Sequence, residues 1–209
     1  MRWSKLKKLN YFDSYLAGAK NLLNLSEYIF KNYNISYISA FALSKNNLKR
    51  SPKLISTLKD VLEYFLNSEQ KDKKKNYQVI FKGDKSFLKS YLIKKIDKLE
   101  NLNINCSKKL FIYINYSGQD DILEACKKLI KSKKRVNYNN FIDNLVTKNV
   151  PFPDMLIRTG GYKRISDFML FQSSFSELMF TDKLWPNFKK VDLDKFIQNY
   201  NKIDRKFGH

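Results

Sequence analysis

The sequence predicts an α/β fold with a mostly parallel central sheet surrounded by helices. Two observations support this prediction. Short runs of β-branched and aromatic residues alternate along the chain with longer segments whose apolar residues recur at helical spacing. No internal repeat, linker or low-complexity tract interrupts that alternation, so we expect a single domain over residues 1–209. Strands that alternate with helices favour parallel neighbours, and ligands then bind at the carboxyl ends of the strands.

The first third of the chain contains two predicted helices and one predicted strand. Apolar residues recur at helical spacing over residues 14–32, with Ser14 as the candidate N-cap. Residues 37–43 form a β-branched and aromatic run that is typical of a buried strand. A second helix begins at Ser51 and continues through Phe65, before a polar, lysine-rich turn at residues 71–75.

The rest of the chain continues the alternation of strands and helices. The predicted strands are residues 77–81, 110–116 and 155–157, and the predicted helices are residues 86–99, 120–132, 140–147 and 192–206. The polar stretches that follow each strand are where we expect the chemistry of the protein.

The charge of the chain is strongly positive. Its 209 residues include 40 Lys and Arg against 20 Asp and Glu, which gives a formal net charge of +20 at pH 7. The lysines are spread along the chain, without the motif of any fold that reads DNA or RNA. We therefore expect a solvated basic surface and no specific nucleic-acid partner. Such a surface also favours anionic membrane surfaces and polyanionic substrates such as diphosphates.

The apolar content suffices for a folded core but not for a membrane span. Hydrophobic residues make up 43% of the chain, yet apolar runs such as residues 40–43 are far shorter than the roughly 20 residues of a spanning helix. Cys106 and Cys126 form neither a CxxC motif nor a metal-binding spacing, so we expect buried thiols in a reducing compartment. The sequence thus predicts a cytoplasmic protein whose contact with membranes is peripheral at most.

Arginine is rare in this lysine-rich chain, and two of its six arginines follow the predicted strand at residues 155–157. Arg158 and Arg164 flank Gly160 and Gly161, and the hydroxyl of Ser166 comes next. Arginine binds phosphates in a bidentate manner that lysine cannot reproduce, and glycines let backbone N–H groups approach an anion. The pattern indicates a phosphate or diphosphate cradle. The alternative is an ordinary turn with exposed cations.

A longer stretch around this segment resembles a known family. Residues 153–186, from Pro153-Asp154-Met155 to Leu184-Trp185-Pro186, are similar to the C-terminal signature of the cis-prenyltransferases, the family of the undecaprenyl diphosphate synthases. Further matches follow the order of the family over nearly the whole chain, at residues 2–4, 17–19, 41–50 and 115–122.

The resemblance implies a fold and a reaction. The fold is a parallel sheet with helices around a hydrophobic tunnel, which the helix that begins at Ser51 would line. The reaction is the cis-condensation of isopentenyl diphosphate onto an allylic diphosphate, such as farnesyl diphosphate, to give a polyprenyl diphosphate. The resemblance further implies Mg²⁺ as cofactor and a symmetric homodimer formed through residues 171–185.

Matching positions imply which residues bind the substrates. Arg158, Arg164 and Ser166 match the cradle for isopentenyl diphosphate in the family. Arg2 and Trp3 match the end of the family's motif for the allylic diphosphate. Four of the six arginines of the chain, with Arg50 included, thus fall on family positions.

Other matching positions imply the catalytic loop and the metal ligand. Ser44, Asn47 and Arg50 match the loop between the two substrate sites, and the residue at the position of Asn47 is tied in the family to proton removal. Glu177 matches the acidic residue near the metal.

The chain departs from the family pattern at several positions. The first motif of the family is Asp-Gly-Asn-x-Arg-Trp, and Met1 occupies its x position. Either Met1 is an internal residue of a longer reading frame, or the chain is a degenerate member. Tyr162 stands where the family usually has Glu, Leu48 where it has Trp and Gln119 where it has Arg. The alternative function is therefore a non-catalytic partner subunit that binds a prenyl diphosphate.

Overall fold

The structure is a computed structural model that describes residues 2–69 and 75–205. Helices and strands alternate along this part of the chain, as predicted. In chain order the elements are α1 Arg2–Lys7, α2 Tyr11–Asn32, β1 Tyr37–Ser44, α3 Pro52–Glu69, β2 Tyr77–Lys82, α4 Ser90–Glu100, β3 Lys108–Tyr116, α5 Gly118–Ser132, α6 Tyr138–Asn144, β4 Met155–Thr159, β5 Glu177–Thr181 and α7 Lys190–Tyr200. Two 3₁₀ turns lie at Lys45–Lys49 and Trp185–Asn187.

The strands form two parallel sheets. In the first, β3 is central and pairs with β1 on one side and with β2 on the other. In the second, β4 pairs with β5. All three pairings are parallel, which confirms the predicted α/β class. Within residues 2–69 and 75–205, β1 pairs only with β3 and β4 only with β5, so one edge of each carries no strand.

The central strand β3 supplies both faces of the core because successive side chains point to opposite sides of a sheet. Leu110, Ile112 and Ile114 pack on one face with apolar residues of α3 and α4. Phe111 and Tyr113 pack on the other face with residues of the C-terminal third of the chain. A strand buried on both faces explains why its sequence is almost continuously apolar.

A third core cluster joins α2 to the C-terminal segment. The indole N–H of Trp185 donates to the carbonyl of Gly18, and the amide of Asn21 donates to the carbonyls of Trp185 and Phe188. A Cβ at Gly18 would lie 3.3 Å from the Trp185 ring, so a larger residue would push the ring outward. These contacts hold α2 against the loop that follows β5.

Two predicted helix starts were wrong, each for a local reason. Helix α2 begins at Tyr11 and not at Ser14, because the side chain of Asn10 accepts from the N–H of Asp13 and caps the helix. Helix α4 begins at Ser90 and not at Ser86, because the N–H and hydroxyl of Ser86 donate to Asp84 in the preceding turn.

Smaller differences concern the last helices and the cysteines. The predicted helices at residues 140–147 and 192–206 are Tyr138–Asn144 and Lys190–Tyr200. The predicted burial of the thiols was wrong, since Cys106 is half-buried and Cys126 is exposed. Residues 71–74 of the lysine-rich turn lie outside the described residues. No helix in the described part of the chain is both long and apolar enough to cross a membrane.

Candidate active site

The carboxyl ends of the strands carry the residues that the sequence singles out. The turn Lys45–Lys49 follows β1, Ser117 follows β3, and Gly160 and Gly161 follow β4. Because β1 and β3 are parallel strands of one sheet, the segments that follow them lie at the same edge. The loop after β4 lies beside them, since the N–H of Gly118 donates to the carbonyl of Asp167. The predicted position of the site therefore agrees with the fold.

Arg158 occupies the penultimate position of β4 and begins the cradle. Its Nη1 donates to the hydroxyl of Ser166 at 2.5 Å, which closes the loop that the sequence predicted. Its Nε is buried and has no hydrogen-bond partner among the described residues. Burial lowers the pKa of Arg158, and the positive charges of Arg164 and Arg2 lower it further. A buried donor without a partner, among repelling cations, indicates that an anion is the missing partner.

Gly160 lets the first helix reach the cradle. The residue has φ +90°, and its carbonyl accepts a hydrogen bond of 2.5 Å from Nη1 of Arg2. A Cβ at Gly160 would lie 2.3 Å from Nη2 of Arg2, so a side chain there would displace that guanidinium. The indole of Trp3 donates to Oδ1 of Asn187 at 2.9 Å. Arg2 and Trp3 therefore hold α1 against the loops that follow β4 and β5.

Tyr162 lies at the centre of the three arginines. The Cζ atoms of Arg164, Arg2 and Arg158 are 4.2, 4.8 and 6.0 Å from the centre of its ring. None of the three arginines forms an ion pair within residues 2–69 and 75–205. Three cations gathered on one ring without an ion pair to a carboxylate are suited to a polyanion. This role of Tyr162 was not predicted, because the sequence shows only that it replaces a glutamate.

The second group of predicted residues lies at the end of β1. Ser44 is the last residue of the strand, and Asn47 is half-buried in the 3₁₀ turn, where its carbonyl accepts from the N–H of Arg50. Nη1 of Arg50 donates to the hydroxyl of Tyr15 at 3.3 Å. Burial raises the pKa of Tyr15, so its hydroxyl accepts this hydrogen bond in the neutral form. The side chain of Arg50 is thereby held beside the N-terminal end of α2.

The start of α5 connects this turn to the cradle. Lys45 forms an ion pair with Asp120 in the first turn of α5. The backbone N–H groups of Gly118 and Gln119 donate to the carbonyl and carboxylate of Asp167, the neighbour of Ser166. The structure thus brings the two predicted groups to adjacent loops at one edge, while no hydrogen bond between described residues joins them directly.

Glu177, the predicted metal ligand, does not lie beside the cradle of its own chain. It is the first residue of β5 and pairs with Met155, whereas the strand ends at Thr181 opposite Thr159. Glu177 lies four residues before the end of β5 that is next to the cradle, and this corresponds to about 13 Å along the strand. Asp182 is the nearer carboxylate, since a Cβ at Gly161 would lie 3.1 Å from its Oδ1. Asp182 lies within residues 153–186, which resemble the family signature, but the sequence analysis assigned no role to it.

The carboxylates of residues 2–69 and 75–205 therefore do not gather into a group for the predicted Mg²⁺. Within the described residues, no group of three or more His, Cys, Asp or Glu is placed to hold a metal ion. Glu177 and the cradle lie at opposite ends of β5, so the placement of Glu177 as a metal ligand stays a prediction of the resemblance.

A cavity of about 320 Å³ opens between α2 and α3. Its walls include Leu16, Ala19, Leu23 and Phe65, and its far end contains Glu27, Glu69 and Lys75. Nζ of Lys75 lies 2.7 Å from Glu69 and 3.1 Å from Glu27. Burial alone would lower the pKa of Lys75, but the hydrogen bond to Glu69 and the electrostatic effects of Tyr77 and Glu69 together raise it above its usual value. The cavity therefore combines apolar side chains with polar ones such as Lys20, Asn24 and Ser68, and it ends at an ionic floor.

The floor of the cavity is far from Arg50 and the turn that follows β1. Along α2, twelve residues separate Tyr15, beside Arg50, from Glu27, and this corresponds to about 18 Å of helix. Helix α3 likewise begins after the 3₁₀ turn and ends at Glu69. The cavity thus extends along the groove between these helices, away from the arginines.

Comparisons with known proteins agree with this arrangement. The family described as "Putative undecaprenyl diphosphate synthase" matches residues 1–208. An isoprenyl transferase of Fusobacterium nucleatum is 34% identical over 209 residues, which cover 99% of this chain and 90% of the relative. A probable undecaprenyl diphosphate synthase from Campylobacter jejuni is similar in structure, with a TM-score of 0.81 and 31% identity over 92% of each chain.

A second solved structure gives a TM-score of 0.90. It is lavandulyl diphosphate synthase from Lavandula x intermedia in complex with dimethylallyl diphosphate, which is 29% identical. The alignment covers 100% of this chain and 93% of that one. The similarity therefore includes the loops at the carboxyl edge as well as the strands.

Proposed function

The chain belongs to the undecaprenyl diphosphate synthase family of cis-prenyltransferases, and we propose on that premise that it condenses isopentenyl diphosphate with an allylic diphosphate such as farnesyl diphosphate. In each cycle a carbon–carbon bond forms at the allylic C1 while its bond to the diphosphate oxygen breaks. The isopentenyl unit loses a proton. The products are diphosphate and an allylic diphosphate longer by one isoprene unit, which can react again.

The observation that carries this proposal is the group of three arginines around Tyr162. Arg2, Arg158 and Arg164 present guanidinium groups without an ion-pair partner in the described residues, and Arg158 has a buried Nε that lacks a hydrogen bond. Charge-assisted hydrogen bonds from such groups bind a diphosphate and fix its orientation. We assign Arg158, Arg164 and Ser166 to isopentenyl diphosphate, and Arg2 with Trp3 to the allylic diphosphate.

The loop after β1 is suited to the reacting carbons between the two diphosphates. Ser44, Asn47 and Arg50 lie at the end of the central sheet, next to the start of α5 that also contacts the cradle. We assign to Asn47 a role in the loss of the proton and to Ser44 and Arg50 the positioning of the leaving group. Cationic donors lower the barrier because they stabilise the negative charge that develops on the departing diphosphate.

The cavity between α2 and α3 is the proposed place for the growing hydrocarbon chain. Its walls include apolar side chains of both helices, and it leads away from Arg50 and the turn that follows β1. Each added isoprene unit would transfer apolar surface from water into this space, which favours elongation over release. We propose that the ionic floor of Lys75 and Glu69 limits the length of the chain, because a hydrocarbon cannot satisfy those charges.

A second function is supported by the position of Glu177. Its distance from the cradle leaves the described residues of one chain without a metal-binding group of carboxylates, although the diphosphate cradle is formed. A chain with this arrangement would bind prenyl diphosphates without elongating them, as a partner subunit of the same family. Mg²⁺ stays our proposed cofactor for the catalytic function.

The test combines turnover and binding. The chain is incubated with ¹⁴C-labelled isopentenyl diphosphate and farnesyl diphosphate, with and without Mg²⁺, and the extracted lipids are separated by chain length. Calorimetry measures the binding of isopentenyl diphosphate in parallel. The enzymatic function is supported if Arg164→Ala abolishes elongation and Lys163→Ala does not. The two variants are matched because each deletes one exposed charge of the same loop. Binding without elongation supports the partner subunit, and the absence of both contradicts the proposal.

A further inference from the structure

The segment after the buried part of α5 is unusually exposed. Every residue from 130 to 139 has an exposed side chain. Val136 and Ile130 are 77% and 76% exposed, which makes them the most exposed large hydrophobic residues in the described part of the chain. Tyr138 is 60% exposed. Exposed aliphatic residues so close in sequence indicate a surface that is covered by something apolar.

The same segment carries a high positive charge. Lys131, Lys133, Lys134 and Arg135 lie between Ile130 and Val136, and none of the four forms an ion pair with a described residue. The acidic residues of α5 are engaged elsewhere: Asp120 with Lys45, Glu124 with Lys127, and Asp121 in the core with Tyr116. The segment therefore has an uncompensated charge of four. We call residues 130–138 the basic apolar segment.

Tyr138 attaches one end of this segment to the fold. Its ring lies 6.0 Å from Phe171, which also contacts Phe141 and Phe152. Helix α6 thus begins with an aromatic residue that rests on an aromatic cluster and remains largely exposed. Tyrosine in such a position suits a boundary between an apolar phase and water, because its ring is apolar and its hydroxyl is polar.

We infer that the basic apolar segment docks on anionic lipid membranes. The cations would contact anionic headgroups, while Ile130 and Val136 would enter the boundary of the acyl chains. Nucleic acid fits the charge but not the exposed aliphatic side chains, because a phosphate backbone offers them no apolar contact. The inference uses only the exposure and charge of this surface, so it does not depend on the proposed function.

The position of the segment would leave the active site open to water. Helix α5 begins beside the cradle at Gly118 and is 15 residues long, which corresponds to about 22 Å along its axis. The basic apolar segment begins in the last turn of this helix. A chain docked through it would bring the edge opposite the cradle to the membrane, with the diphosphate site at the far edge.

Co-sedimentation with lipid vesicles tests this inference. The full chain is mixed at low salt with vesicles of phosphatidylcholine alone or with 30% phosphatidylglycerol. We expect binding only to the anionic vesicles, and its loss at 0.5 M salt. Ile130→Ser/Val136→Ser should weaken the binding at least fivefold, and Lys133→Glu/Lys134→Glu at least tenfold. Circular dichroism confirms that each variant is folded.

Two matched controls make the test specific. Ile104→Ser/Val191→Ser removes the same two residue types from other exposed positions, and Lys94→Glu/Lys98→Glu makes the same change of charge on α4. Both controls should bind as the unchanged chain does. Controls that lose binding as strongly as the segment variants would overturn the inference. So would equal binding to neutral vesicles, or salt-dependent binding to a DNA duplex and not to the anionic vesicles.

Discussion

At Tyr162 an aromatic ring stands where the family pattern has a glutamate, and it contacts the three arginines of the cradle. A glutamate would pair with these cations and compete with the substrate for them. The ring gathers them without neutralising them, since a cation–π contact leaves the outer N–H groups of a guanidinium free to donate. We therefore propose that Tyr162 positions the three guanidinium groups of the proposed cradle before a diphosphate binds.

Replacement of this ring should weaken the binding of diphosphate. We expect Tyr162→Leu to raise the Kd for isopentenyl diphosphate about two- to fivefold, the equivalent of one cation–π contact at an exposed site, which is worth about 0.5–1 kcal/mol. Tyr162→Phe keeps the ring and should bind within about twofold of the unchanged chain, by the same reasoning. Calorimetry measures both. An equal loss of affinity in the two variants would show that the hydroxyl causes the effect, and it would contradict the role of the ring.

The arginines themselves should show a larger effect. Arg158→Ala or Arg164→Ala should weaken the binding of isopentenyl diphosphate by about 1.5–3 kcal/mol, the range of a hydrogen bond to a charged group. Arg→Lys should restore only part of this loss, because the planar fork is absent. Calorimetry with Lys163→Ala as the control separates a specific contact from a general loss of charge. Unchanged affinity in both alanine variants would disprove the assignment.

At the scale of elements, the long apolar runs were predictable and the contacts through space were not. Strands β1 to β4 were expected within two residues of their observed ends, because their runs of β-branched and aromatic residues stand out from the polar stretches beside them. Strand β5 lies within the segment that resembles the family, but it was not predicted as a strand. Its five residues are too few to show the hydrophobic pattern of a strand. Helix α1, six residues long, was missed for the same reason. The contact of Arg2 with Gly160 joins residues 158 positions apart, and no local pattern indicates it.

In the ionic floor between α2 and α3, the contributions of Glu69 and Lys75 to the free energy of unfolding should be coupled. The side chains of Glu69 and Lys75 are 4% and 9% exposed. Lys75→Met leaves a buried carboxylate without its main partner and should reduce the free energy of unfolding by about 3–5 kcal/mol. Glu69→Leu/Lys75→Met removes both charges and should be within about 1 kcal/mol of the unchanged chain. Urea denaturation measures the free energy of unfolding of both variants. A double variant that is as destabilised as Lys75→Met would show that the pair is not coupled.

The unpaired edges of β1 and β4 lead to another prediction at this scale. Arg2 contacts Gly160 just beyond β4, so a strand placed ahead of residue 1 would end at the carboxyl edge of the sheets. Strand β1 is only half-buried, whereas central parallel strands are normally covered. Residues 1–209 preceded by a strand that ends in Asp-Gly-Asn should melt at least about 5 °C higher than the same chain with a Gly/Ser tail. Mg²⁺-dependent turnover should rise as well. Equal melting temperatures would contradict this pairing.

At the scale of the whole molecule, the segment 171–185 favours a symmetric dimer. Phe175 and Leu178 are 67% and 45% exposed, and the outer edge of β5 carries no strand in the described part of the chain. A monomer with a net charge of +20 repels its copies in general, so association requires a complementary apolar patch. This patch lies beside β5 and provides such a surface.

Light scattering at micromolar concentration should therefore give twice the chain mass of 24.9 kDa. Leu178→Lys places a charge in the patch and should shift the mass to that of one chain, because two copies of the new charge would meet across the symmetry axis. Val191→Lys adds the same charge at a residue of α7 that is 64% exposed, and should leave the dimer intact. A mass of 24.9 kDa for the unchanged chain would contradict the dimer. A dimer that Leu178→Lys does not affect would exclude this patch as its interface.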